Sequence, residues 1–99
     1  MSVKTSFLKN KIYKDSPNKN IVPVTTTINS SDKLFIGGCS MEDLVRKYDS
    51  PLYVLDEITL RNSCRAYKKA LEKYYPGASL PIYASKANSS IFMSNLIAS

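Results

Sequence analysis

The chain has 99 residues, enough for one small domain, with 43% apolar side chains and a net charge of +6. It has no histidine and only two cysteines, Cys39 and Cys64, so Ser-His and Cys-His catalysis, a disulfide framework and the common zinc spacings are excluded. No apolar run reaches the roughly 18 residues of a membrane span and no signal-peptide core opens the chain, so the expected setting is the cytoplasm, with reduced thiols and no membrane partner.

Residues 1–31 hold few large apolar side chains and many Lys, Asn, Ser and Thr. They predict a poorly ordered basic leader, interrupted by Pro17 and Pro23. Ile21 to Ile28 has some β character but no clean alternation. The leader is Ser/Thr-rich and acid-poor, as transit peptides are, but it lacks arginine. Its charge comes from Lys4, Lys9, Lys11, Lys14 and Lys19 against Asp15. A second basic cluster, Arg61, Arg65, Lys68, Lys69 and Lys73, stands against Glu72. Basic clusters suit nucleic acid or an anionic surface. No base-stacking motif accompanies these, so they read as a solvated tail and a solvated helix face, with no nucleic-acid partner.

Residues 32–50 predict a strand and a helix. Leu34-Phe35-Ile36 is a short strand ended by Gly37-Gly38. Ser40 opens a helix with capping-box spacing to Asp43. Met41, Leu44, Val45 and Tyr48 share its apolar face. Arg46 and Lys47 suit the negative end of its dipole, and Asp49-Ser50-Pro51 stops it. Cys39, between two glycines and a helix start, has a place where a thiol can be reactive. The reading adopted for it is structural.

Leu52-Tyr53-Val54-Leu55 is a continuous apolar run, as in a strand buried on both faces. Asp56 can cap the helix that follows, expected from about Ile58 to Tyr75 and ended by Pro76-Gly77. Leu60, Cys64, Tyr67, Leu71 and Tyr74 form its apolar stripe, which places Cys64 in a core. Ile82 to Ser85 is the next strand candidate, and Ile91, Phe92, Leu96 and Ile97 begin another helix. The β-α-β-α order, with about 30 residues from strand to strand, matches a right-handed βαβ unit. Two such strands cannot cover each other, so the fold class expected is α/β, a slice of a larger parallel sheet or barrel.

Lys86 follows the last strand candidate, between the small residues Ala84, Ser85 and Ala87. Functional groups gather at the C-terminal ends of parallel strands, and a desolvated lysine there can act as an amine nucleophile. By geometry alone the signal is weak, and a lone lysine at a strand end is far more often an ordinary solvated one.

The stretch Tyr83-Ala84-Ser85-Lys86-Ala87-Asn88 resembles the cofactor-lysine motif of the alanine-racemase-like, fold-type III decarboxylases that use pyridoxal 5'-phosphate (PLP). Ser89-Ser90-Ile91-Phe92 follows it, where alanine racemases have Tyr-Gly-His, and this is more like the diaminopimelate decarboxylases. Upstream, Ile36 to Ser40, Ser50 to Glu57 and Thr59-Leu60-Arg61 resemble the same family, so the likeness runs from about Leu34 to Ala98. It implies a PLP-binding (β/α)₈ barrel beginning at residue 51, here truncated, preceded by a strand belonging to a β-domain. It implies a homodimer that decarboxylates meso-2,6-diaminopimelate to L-lysine. Lys86 is then the catalytic residue that holds PLP as an imine, with Ala84 as a second cofactor contact and no metal. The family's phosphate-binding glycines, ring-nitrogen acid, substrate arginines and catalytic cysteine fall on no position here, so neither Cys39 nor Cys64 takes that last role. The fragment alone is expected to be inactive. The alternatives are another fold-type III enzyme, whether an ornithine or arginine decarboxylase or an amino-acid racemase, and, in a different class, a basic nucleic-acid- or protein-binding module.

Overall fold

The computed structural model describes residues 17–18 and 20–99. The leader charges Lys4, Lys9, Lys11, Lys14, Asp15 and Lys19 lie outside them. The chain divides into two units, residues 1–59 and 60–99.

In the first unit, strands β1 (Thr27–Ile28), β2 (Leu34–Ile36) and β3 (Cys39–Ser40) form an antiparallel sheet in the order β1-β2-β3. Thr27 pairs with Phe35 and Ile28 with Leu34; Phe35 pairs with Ser40 and Ile36 with Cys39. The β2–β3 connection is the two residues Gly37 and Gly38, with φ of 60° and 78°. A two-residue hairpin that matches strand twist needs positive φ at both positions, which glycine adopts without a β-carbon penalty. In the β1–β2 connection, the Asn29 side-chain carbonyl accepts from the amides of Ser31 and Lys33, each at 2.9 Å.

Helix α1 (Met41–Tyr48) starts where the sequence predicts. Ser40 Oγ accepts from the Asp43 amide at 3.4 Å, and Glu42 and Asp43 in the first turn balance Arg46 and Lys47 in the last. The helix ends at Asp49, whose amide returns to the Val45 carbonyl at 2.8 Å. Helix α2 (Glu57–Tyr74) starts in this unit and continues into the second.

The second unit contains the rest of α2, a 3₁₀ turn at Ser85–Ala87 and helix α3 (Ile91–Ala98). Ser90 Oγ caps α3 by accepting from the Met93 amide at 3.3 Å. Arg61 on α2 donates to Ser99 Oγ, just past α3, at 2.9 Å.

The protein is therefore α/β, with a three-stranded sheet and helices, and several expectations are corrected. The leader does not extend to residue 31: Thr25 and Thr26 are buried and Thr27–Ile28 is a strand. Threonine is β-branched and suits extended backbone, and the Thr25 hydroxyl accepts from the Gly37 amide, whereas the Thr26 hydroxyl is buried without a partner among the described residues. Neither Leu52–Leu55 nor Ile82–Ser85 is a strand. A strand exists only where a neighbour completes its hydrogen bonds, and no ladder partner stands beside either run among the described residues. The observed sheet is thus antiparallel and lies earlier in the chain than the expected parallel pair. Cys64 is exposed rather than in a core, as are Tyr67 and Tyr74, while Leu60 and Leu71 are half-buried. The stripe has helical spacing, but no residue of α2 is buried. Among the described residues, the buried apolar side chains are Met93 and Leu96.

Candidate functional site

The site begins with an apolar run left in the open. Leu80 and Ile82 are exposed, Ile82 at 86%. Tyr83 is half-buried. The chain is still extended at Ala84, with φ −80° and ψ 99°, and then turns at once into the 3₁₀ turn Ser85–Ala87. One backbone hydrogen bond closes that turn, from the Ala87 amide to the Ala84 carbonyl at 3.1 Å. Asn88 returns the chain to an extended conformation, with φ −159° and ψ 107°.

Lys86 is the middle residue of the turn, where the expectation put it at the end of a strand. Its neighbours Ala84, Ser85 and Ala87 are exposed, as it is. Among the described residues Lys86 forms no ion pair or hydrogen bond, so its amine is committed to no carboxylate. The side chains on either side are tied down. The Tyr83 hydroxyl donates to the Asn88 backbone carbonyl at 3.0 Å. The Asn88 side-chain carbonyl accepts from the Ser90 amide at 3.1 Å, and Ser90 caps α3. These ties were not anticipated. The signal for them is an aromatic residue and an asparagine bracketing four small or flexible residues.

The first unit has its own cluster of polar groups. Asp56 is 8% exposed. Its Oδ2 accepts from the Thr59 amide at 3.0 Å and from the Thr59 hydroxyl, and so caps α2 as expected. Thr59 Oγ1 accepts in turn from the Val24 amide at 2.9 Å, and Thr25 Oγ1 accepts from the Gly37 amide at 2.8 Å. Beside this cluster is a recess of about 360 Å³, lined by residues that include Ile36, Cys39, Leu44, Val54 and Asp56. Cys39 is exposed there, with Sγ 4.0 Å from the Gly37 carbonyl. No described group of His, Cys, Asp or Glu is placed to hold a metal ion. The basic cluster on α2 is exposed apart from half-buried Arg61, and Lys73 Nζ lies 4.8 Å from the Tyr74 ring centre. No helix among the described residues is long and apolar enough to cross a membrane.

A PLP cofactor presents an aldehyde, a phosphate and a ring nitrogen. The turn fits the first, because it offers an exposed, unpaired primary amine flanked in sequence by the small residues Ala84, Ser85 and Ala87, which add little bulk against a flat ring. The turn offers no second charged group for the phosphate or the ring nitrogen.

No protein-family model and no solved structure matches the chain. Characterised proteins do. The chain is 51% identical over 72 residues to the diaminopimelate decarboxylase of Synechocystis sp., covering 73% of this chain and 15% of that protein. It is 38% identical over 72 residues to the diaminopimelate decarboxylase of Bacillus methanolicus, covering 73% and 16%. It is 31% identical over 70 residues to that of Methanothermobacter thermautotrophicus, covering 71% and 16%. The match thus spans 15–16% of the length of these curated relatives. Over that stretch, this chain belongs to the diaminopimelate decarboxylase family.

Proposed function

We propose that this chain is part of a PLP-dependent decarboxylase that converts meso-2,6-diaminopimelate to L-lysine, with Lys86 as its cofactor lysine. The observation that carries the reading is Lys86 itself: an unpaired amine on a short turn, in a chain half identical to a diaminopimelate decarboxylase over most of its length. The names of the relatives support the substrate.

When bound, the cofactor supplies an electron sink for the pair of electrons left by departing CO₂. The chain's own residues do simpler things. Lys86 Nζ would hold the cofactor through its aldehyde carbon, as a primary amine with no competing ion pair among the described residues. The small side chains of Ala84, Ser85 and Ala87 keep the approach to Nζ open, with Ala84 the nearest candidate for a ring contact. The phosphate and the ring nitrogen require groups from elsewhere in the protein.

The exposed apolar runs Leu52–Leu55 and Leu80–Ile82 support the architecture. Tyr53 is 99% exposed, and such runs gain ladder partners and cover as consecutive strands of a (β/α)₈ barrel. The same reading places the protein in the cytoplasm as a homodimer, acting on a small amino acid.

The test is borohydride reduction of the holoprotein, followed by proteolysis and mass spectrometry. A pyridoxyl label on Lys86 is expected. A label on another lysine refutes the assignment.

A further inference from the structure

We propose that Tyr83 is the positioning residue for Lys86; the inference rests on the reading of Lys86 as the cofactor lysine. A three-residue 3₁₀ turn is a weak structure, with poor hydrogen-bond geometry and here a single backbone bond, Ala87 to Ala84, to close it. The turn's own side chains are exposed and add no packing. What holds it is the residue on each side. Tyr83 stands immediately before Ala84 and Asn88 immediately after Ala87. Both are half-buried, and the Tyr83 phenol donates to the Asn88 carbonyl at 3.0 Å. That bond closes a six-residue loop with Lys86 near its middle.

The far side of the loop is anchored as well. The Asn88 side chain accepts from the Ser90 amide, and the Ser90 hydroxyl accepts from the amide of Met93, a buried apolar residue. The series Tyr83–Asn88–Ser90–Met93 therefore connects the cofactor turn to the N-terminus of α3. A lysine amine rides on a flexible four-carbon stem, so the place from which it can reach is set by its backbone. Positional errors of about 1 Å at a reacting group can cost roughly a hundredfold in rate. The phenol narrows the backbone's range while leaving the amine free to move between cofactor and solvent.

The experiment compares Tyr83→Phe with wild type in the full-length protein. The substitution removes one oxygen and keeps the ring. Three changes are expected. Deuterium exchange of the apo-protein rises roughly tenfold in the peptide spanning residues 84–90, and not in peptides from α2, because about one neutral hydrogen bond is lost. Covalent uptake of added pyridoxal 5'-phosphate, followed by its visible absorption band, slows by a similar factor. Turnover falls with an unchanged KM, since the substrate itself loses no contact. Tyr75→Phe, at an exposed tyrosine just past α2, is expected to change none of these. Wild-type exchange and uptake in Tyr83→Phe, with the borohydride label still on Lys86, overturn the positioning role and leave the cofactor lysine standing. A label on another lysine overturns the reading of Lys86 whatever Tyr83 does. If Tyr83→Phe fails to fold, Asn88→Ala opens the other end of the same bracket, and wild-type exchange across residues 84–90 in that variant overturns the proposal.

Discussion

The backbone of Gly37 runs so close to the carboxylate of Asp56 that a β-carbon at Gly37 would stand 3.3 Å from Asp56 Oδ1. Two independent demands for glycine meet here, the positive φ of the hairpin turn and the space taken by the buried carboxylate. Gly38 has only the first, with open space where its β-carbon would be. Gly37→Ala should therefore destabilise the protein by about 2–3 kcal/mol and Gly38→Ala by about 1–2 kcal/mol, the left-handed backbone cost alone. Urea titration of the two variants of the full-length protein checks the order. Equal midpoints would show that the carboxylate yields without cost.

Glu42 gives a pH signature. Its carboxylate accepts a hydrogen bond from Lys33 Nζ at 2.6 Å and lies 3.6 Å from Arg46. The Lys33 bond, more than the charge of Lys33 or Arg46, holds its pKa below the usual value. A depressed folded-state pKa contributes stability that is complete above the unfolded value, about 4.3, and is lost as pH falls through the lower folded value. Glu42→Gln should remove this contribution at neutral pH and flatten the dependence of stability on pH below about 4.3. The effect should be small, because the pair is exposed to solvent on both sides. Melting temperatures of wild type and variant across pH 3 to 7 should converge at the acid end; a constant gap would show that the ion pair is not the cause.

On the proposed role of Lys86 as cofactor lysine, Lys86→Ala should abolish the visible absorption band and lower turnover by several orders of magnitude, because covalent attachment is removed rather than weakened. Lys86→Arg should fail almost as badly, since a guanidinium stays protonated and cannot serve as the amine. Lys68→Ala and Lys73→Ala, on the exposed face of α2, should leave turnover near normal. Steady-state kinetics on the four variants decide the matter. Comparable losses at Lys68 and Lys86 would point to a merely basic surface.

The 99-residue chain expressed alone should neither melt cooperatively nor release CO₂ from meso-diaminopimelate. Met93 and Leu96 are the buried apolar side chains among the described residues. Each contributes about 1.5–3 kcal/mol, against an ordering cost of roughly 1–2 kcal/mol for every residue fixed. The exposed runs at Leu52–Leu55 and Leu80–Ile82 favour association instead. Circular dichroism with thermal melting tests the first half of the expectation and a CO₂ assay with added cofactor the second. A sharp transition in a monodisperse monomer would refute the first.

Local signals were legible in the sequence and non-local ones were not. Ser40 with Asp43, and Asp56 before α2, are short-range capping signals, and both helices start beside them. Gly37-Gly38 announced a turn, but the sequence did not show that Cys39 and Ser40 would pair back onto β2. Thr27–Ile28 was lost within a polar stretch, since its strand character depends on β2 lying beside it. The runs at Leu52 and Ile82 state a preference for burial without naming a partner, and a ladder needs both. Lys86 was singled out by the motif around it. The hydrogen bond from Tyr83 to Asn88 depends on how the turn brings the phenol back to the backbone, which no local sequence pattern specifies.

The first unit is held together by hydroxyls and a carboxylate more than by hydrocarbon. Its buried side chains among the described residues are Thr25, Thr26 and Asp56, and two of them join backbone segments far apart in sequence: Thr25 to Gly37, and Asp56 through Thr59 to Val24, while the Thr26 hydroxyl has no partner among those residues. Apolar exposure raises the heat capacity of unfolding and polar exposure lowers it. A knot of this composition therefore opens with a small heat-capacity increment, and its free energy varies gently with temperature. Its strength is set by the number of hydroxyl bonds still closed rather than by the temperature-dependent push of water on an oily core.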